Sequence, residues 1–226
     1  MRGSDHFWTG PRQVLVHRLV RHRLPVGSLV VDAAWNPGSP LAWLAPDFPT
    51  LAVTPEPRGL DPGRGVAVVQ ADVCRLPVAD ASVDAVLLLD VLERMDDDGP
   101  ALESATRALR SGGLLMVAVP HDPRFWSAHD ERAGHRRRYT GSALAATFRD
   151  LGMVPEHLRY FQFLLLPLFA ANRRRSRRRP RVLEREAAPG PGVNRALAAV
   201  NRLEVESSTR LPWPTGSTVL ALGRKP

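Results

Sequence analysis

Five short apolar runs that do not alternate with polar residues constrain this chain more than any other feature. They lie at Ser28–Asp32, Leu51–Val53, Val66–Val69, Ala85–Leu89 and Leu114–Val119. A strand with one wet face alternates apolar and polar residues, because successive side chains point to opposite sides of the sheet. An unbroken apolar run is expected where both faces of a parallel sheet are covered. Between these runs the spacing predicts helices. Pro11–Leu24 places Leu15, Val16, Leu19, Val20 and Leu24 on one face behind an early proline. Leu41–Leu44 and Gly99–Leu109 predict two more, the latter closed by Ser111-Gly112-Gly113 as its stop signal. Strands alternating with helices predict a doubly wound, mostly parallel α/β sheet. Such sheets bind ligands outside the carboxyl ends of their strands, so the residues just after each strand are the ones to inspect.

The rest of the chain organises around that core. Residues 1–27 predict an N-terminal helical cap, 28–160 the α/β core, 161–212 an insertion or lid, and 213–226 a closing strand. The net charge of +8 suggests an acidic partner until it is located: seven arginines fall between Arg173 and Arg181, which leaves +1 for everything else. Nucleic acid ranks last among the readings of that tract, because no stacking aromatics are interleaved with the cations. The apolar stretch Phe161–Ala171 before it is shorter than the roughly 20 residues a membrane span needs. The two together suit either a lid over a hydrophobic substrate or a segment lying on an anionic membrane surface. With Cys74 as the single cysteine and no secretory signal legible in the first 25 residues, a reducing, cytoplasmic setting is expected. No His/Cys/acid spacing fits a standard metal set, so no metal is expected.

The segment Val68–Arg94 reads V-V-Q-A-D-V-C-R-L-P-V-A-D-A-S-V-D-A-V-L-L-L-D-V-L-E-R. In register over about 27 residues it resembles small-molecule class I S-adenosylmethionine methyltransferases, which read G-D-x-x-x-L-P-F-x-D-x-S-F-D-x-V and then V-L-E-H. Leu109–Pro120 is similar to the same family's L-x-P-G-G-x-L-x-x-x-x-P. The resemblance implies the family's Rossmann-like fold and S-adenosylmethionine as cofactor. It also implies that Asp72 accepts a hydrogen bond from the adenine amino group while Val73 lies against the ring, with Asp90 also on the cofactor side. An ionised carboxylate, which only accepts, suits that task; capping a turn is the simpler role for Asp72.

The first motif departs from the family. Where V-L-D-x-G-C-G-x-G is usual, this chain has Val30-Val31-Asp32-Ala33-Ala34-Trp35-Asn36-Pro37-Gly38, and only Asp32 and Gly38 keep their types. Glycines serve there by letting the backbone approach the ligand and adopt positive φ. Thr54 stands where the family places an acid for the ribose hydroxyls, with Glu56 two residues on. A second cluster, Pro120–Thr140, resembles the family subset with a D-E-x-x-G-H-x-R-R-Y-T loop over the substrate pocket. His121 and His135 are candidate bases, since imidazole titrates near neutrality, as is His129. Arg137, Arg138 and Tyr139 either fix an acidic substrate or lock the loop. The resemblance thus implies a methyltransferase of a small hydrophobic or amphipathic metabolite, in a natural-product, lipid or saccharide pathway. The altered loop keeps open an alternative: a methyltransferase-like protein that has lost methyl transfer and acts as a pathway cyclase or a non-catalytic partner subunit. A homodimer or heterodimer is compatible with either.

Overall fold

The computed structural model describes residues 7–36, 39–56, 63–169, 190–207 and 213–226. The strands are β1 (Val30–Asp32), β2 (Thr50–Thr54), β3 (Val66–Gln70), β4 (Val83–Leu89), β5 (Leu109–Pro120), β6 (Val154–Phe161) and β7 (Thr218–Arg224). They form one sheet in the order β3-β2-β1-β4-β5-β7-β6. The first five are mutually parallel, and β7 runs antiparallel between β5 and β6. The helices are α1 (Thr9–Arg21), α2 (Leu41–Leu44), α3 (Gly99–Ala108), α4 (Ala128–Arg132), α5 (Gly141–Asp150) and α6 (Pro191–Ser207).

Four of the apolar runs become the inner strands β2, β1, β4 and β5, whose faces are covered, while Val66–Val69 becomes the exposed edge strand β3. Every residue of β4 is buried. One layer packs β4 and β5 against Leu102 and Ala105 of α3 and Leu144 and Phe148 of α5. The opposite layer packs Val30, Leu87 and Met116 against Leu15, Val16 and Val20 of α1, Leu41 and Leu44 of α2, and Val205 of α6. Helix α1 also lies against α6, and the join is polar as well as apolar: the Phe7 amide donates to Asn194 and the Asn201 amide group to the Phe7 carbonyl.

One expectation needs correction, and one strand went unread. Ser111-Gly112-Gly113 does not stop α3. The helix ends at Ala108 and the chain enters β5 at Leu109. The pairing of β4 with β5 jumps from Val83↔Leu109 to Ala85↔Leu114, so the glycines form a bulge. Gly112 has φ +77 there, a conformation that costs glycine nothing. The strand β6 escapes the apolar-run criterion because it is an edge strand and most of its residues are only half-buried.

The segment Trp213–Ser217 returns the chain to the sheet past Phe161, and Gly216 makes the passage fit. A Cβ there would lie 2.3 Å from the Phe161 carbonyl oxygen and 2.7 Å from its nitrogen. Backbone atoms within a sheet cannot retreat as a side chain can. Gly216→Ala is therefore expected to destabilise the fold by about 1–3 kcal/mol, measured by urea unfolding. The arginine tract, and with it any membrane-surface role for 173–181, lies outside the described residues, as do Pro37 and Gly38. Among the described residues no helix is long and apolar enough to cross a membrane.

Candidate active site

The carboxyl ends of β1 and β4 sit side by side in the middle of the sheet and bring three acids together. Asp32 ends β1, fully buried; its Oδ1 accepts the Ala34 amide at 3.2 Å, and its Oδ2 has no hydrogen-bond partner among the described residues. Burial pushes its carboxyl up to about 6, against the pull of Ser39, the Ala34 amide and Arg12. Asp90 follows β4 with φ 55 and pairs with the Arg12 guanidinium, which α1 extends across the strand ends. Glu93 lies one 3₁₀ turn further on, and both of its buried carboxyl oxygens lack a hydrogen-bond partner among the described residues. Loss of solvent, followed by the neighbouring Asp90 charge, pushes it up to about 8.

The altered loop after β1 keeps an ordinary backbone. None of residues 33–36 has positive φ, so Ala34, Trp35 and Asn36 occupy it without the strain that a glycine would be needed to relieve. The Ala33 and Trp35 amides donate to Leu87 and Val53 and tie the loop to β4 and β2. Trp35 is 7% exposed, packed in the layer with Leu15, Leu41 and Phe48. Thr54, buried at the end of β2, accepts the Glu56 amide on its hydroxyl at 3.3 Å. Asp72 is exposed and caps the 3₁₀ turn Val73–Arg75 by accepting the Cys74 amide at 2.9 Å, so the capping role is filled.

The loop after β5 is held by its own charged residues. A capping box between Ser127 and Asp130 starts α4. Asp130, fully buried, also accepts from Arg138 at 2.7–2.8 Å and lies 3.0 Å from His135 Nδ1. Those donors overcome its burial and hold its carboxyl well below the usual range. Arg138 gives a further hydrogen bond to the His121 carbonyl. The Tyr139 hydroxyl donates to Asp98 at 2.5 Å, and burial with that bond pushes the phenol far up. His121 Nδ1 stands 3.0 Å from the Tyr139 carbonyl, which can only accept, so Nδ1 carries the proton and Nε2 is the acceptor. Burial pushes the His121 imidazole down, toward its neutral form. His129 is exposed, with its ring edge-on to that of His135.

Of the residues singled out from sequence, the fold brings Asp32, Ala34, Trp35 and Asp90 to one point, and gathers His121, His135, Arg138 and Tyr139 in the neighbouring loop. Arg136 and Arg137 donate their amides to the Glu93 carbonyl and so fasten the two groups together. Arg12, Glu93 and Asp130 were passed over. Glu93 carried a signal, as the acid of the V-L-E-R run. Arg12 has no local signal in the sequence, and only the packing of α1 brings it to Asp90.

Residues 32–117 match the family model described as a methyltransferase domain. Over 91 residues the chain is 35% identical to a probable S-adenosylmethionine-dependent methyltransferase of Mycobacterium tuberculosis, a match covering 39% of this chain and 33% of that protein. A similar protein of Mycolicibacterium smegmatis is 28% identical over 93 residues, 40% of this chain and 36% of its own. The matched part thus spans about a third of the length of these curated relatives. Among solved structures, the complex between the Haloferax volcanii Trm112 methyltransferase activator and a methyltransferase superposes with a TM-score of 0.61 at 19% identity, over 98% of this chain and 90% of that one. The [4+2]-cyclase SpnF does so at 0.59 and 20%, over 96% and 82%. At these identities the likeness is one of fold.

Proposed function

We propose that this chain is a class I S-adenosylmethionine methyltransferase, which binds this cofactor and methylates a small hydrophobic or amphipathic metabolite; the match of residues 32–117 to the methyltransferase-domain model supports it. The observation that carries the reading is the unpartnered Oδ2 of Asp32, buried at the end of β1. A buried acceptor without a donor is costly unless a ligand supplies one, and the ammonium of the cofactor's methionine part is such a donor. Asp32 and Asp90 outnumber Arg12 around this point, which favours a cationic ligand. Asp72 and Val73 would hold the adenine, and Thr54 with Glu56 the ribose. Bound there, the cofactor supplies an electrophilic methyl group on a sulfonium. The protein's part is then to align the acceptor atom with it.

The acceptor side is bounded by aromatic and aliphatic groups at the carboxyl end of β6. Trp8 meets Phe169, Phe163 stacks on Trp213, and Leu164 and Leu168 are exposed beside them. These surfaces support an apolar portion in the substrate, with His121 and His135 as the nearby proton acceptors. Titration calorimetry with S-adenosylhomocysteine is expected to show saturable binding at one site per chain, and a thermal shift to match.

One observation favours a second reading, that of a protein which has lost methyl transfer and serves as a cyclase or a non-catalytic partner subunit. Thr54 offers the ribose one hydroxyl, already engaged by Glu56, where a carboxylate would offer two acceptors. Absence of both heat and thermal shift would establish that reading over the first. Light scattering on the purified chain, alone and after co-purification, reports whether a homodimer or a partner protein accompanies either.

A further inference from the structure

Four groups from three parts of the chain converge in one buried row. Glu93, on the turn after β4, faces His135 at 3.8 Å between Oε1 and Nε2. His135 in turn stands 3.0 Å from Asp130 through Nδ1, and Asp130 is held by Arg138. The side chains of Glu93, Asp130 and Arg138 are at most 3% exposed and that of His135 is 8% exposed. The Arg136 and Arg137 amides on the Glu93 carbonyl fix the loop so that His135 stays over Glu93. This row goes beyond what orienting the loop requires: Asp130, Arg138 and Ser127 already do that, and Glu93 makes no hydrogen bond through its side chain.

We infer that Glu93 and His135 hold one proton between them, and that this pair is the reservoir which takes up the proton released when the acceptor is methylated. The inference rests on the methyltransferase reading above. Asp130 and Arg138 balance each other, so the pair is neutral with one proton whichever member carries it, as burial requires. The other charges facing Glu93 are Asp90, Arg94 and Arg12, and His129 lies edge-on to His135. Tyr139 feels Glu93 as well, but its phenol stays protonated. Methylation of an oxygen or nitrogen forms the bond from that atom to carbon and breaks the carbon–sulfur bond, whose electron pair stays on sulfur. The acceptor's proton leaves. The pair then holds two protons, as imidazolium and neutral carboxyl, and returns one to solvent through His135, its more exposed member. Glu93 acts through His135 and is a positioning residue.

The test needs neither cofactor nor acceptor. Infrared spectroscopy across pH 5–10 is expected to show a protonated carboxyl that persists at neutrality and disappears as the pH rises through about 8. That band should be missing in Glu93→Gln; Asp32→Asn removes the separate band that disappears near 6. In parallel, the His135 ring-nitrogen signals, followed by long-range nitrogen–proton NMR, should move as the Glu93 carboxyl band disappears in the native chain, and Glu93→Gln should abolish that movement. A merely structural Glu93 would leave the His135 ring signals unmoved as that band disappears. Should Glu93→Gln not fold, the native chain still decides: no carboxyl titrating above neutrality overturns the inference. If S-adenosylhomocysteine fails to bind while the pair titrates as described, the fault lies with the methyltransferase reading and not with the shared proton.

Discussion

Asp32→Asn is expected to weaken cofactor binding and stabilise the fold at the same time. The carboxamide keeps an oxygen for the Ala34 amide but loses the charge that attracts an ammonium. A charged hydrogen bond is worth about 1.5–3 kcal/mol, so the affinity for S-adenosylhomocysteine should fall roughly 10- to 100-fold. Stability moves the other way. The native carboxyl is raised to about 6 from 3.8. Between those values the native state binds a proton that the unfolded chain does not, so stability falls as pH rises through this window. Above about 6 the whole penalty is present, and asparagine removes it. The expected gain is roughly 2–3 kcal/mol at pH 7, fading as the pH approaches 4. Urea unfolding at both pH values and calorimetry at pH 7 check the two halves. A variant destabilised at pH 7, or one that binds as tightly as the native chain, would show that Asp32 is a structural acid.

Trp35→Ala is expected to cost about 3–5 kcal/mol of stability, the range for truncating a buried tryptophan. Trp35 stands in the loop after β1 where the family it resembles has a small residue. The structure places the indole in the core layer with Leu15, Leu41 and Phe48. Restoring a small side chain should therefore hollow that layer and leave the affinity for S-adenosylhomocysteine unimproved. Tighter binding by a well-folded Trp35→Ala or Trp35→Cys variant would contradict this placement.

The parallel core is legible because burial on both faces leaves an unambiguous mark. The runs at 30–31, 85–89 and 114–119 are apolar without alternation and fall in strands β1, β4 and the inner part of β5, whereas the run at 66–69 falls in the exposed edge strand β3. At the antiparallel end the mark fades. Strand β6 includes Glu156, His157 and Arg159, and its partner β7 comes 64 residues after Val154. The same division runs through the site. Asp32 and Asp90 follow readable strands, and the resemblance to the family labels them. Glu93's isolation and Arg12's reach depend on three-dimensional crossings that leave no local pattern. The altered loop shows the same limit: positive φ is a property of a path, and residues 33–36 take a path without it.

The polar join between α1 and α6 also bears on when the site comes into being. The two hydrogen bonds that pin Phe7 span 187 and 194 residues of sequence. Residues from β1 to β5 can pair as they leave the ribosome, but α1 cannot be fixed over the strand ends until α6 has been made, in the last fifth of the chain. Arg12 rides on α1, so its ion pair with Asp90 is among the last contacts to become permanent. Chains interrupted before Asn194 should therefore carry much of the sheet while the ligand pocket still lacks a wall.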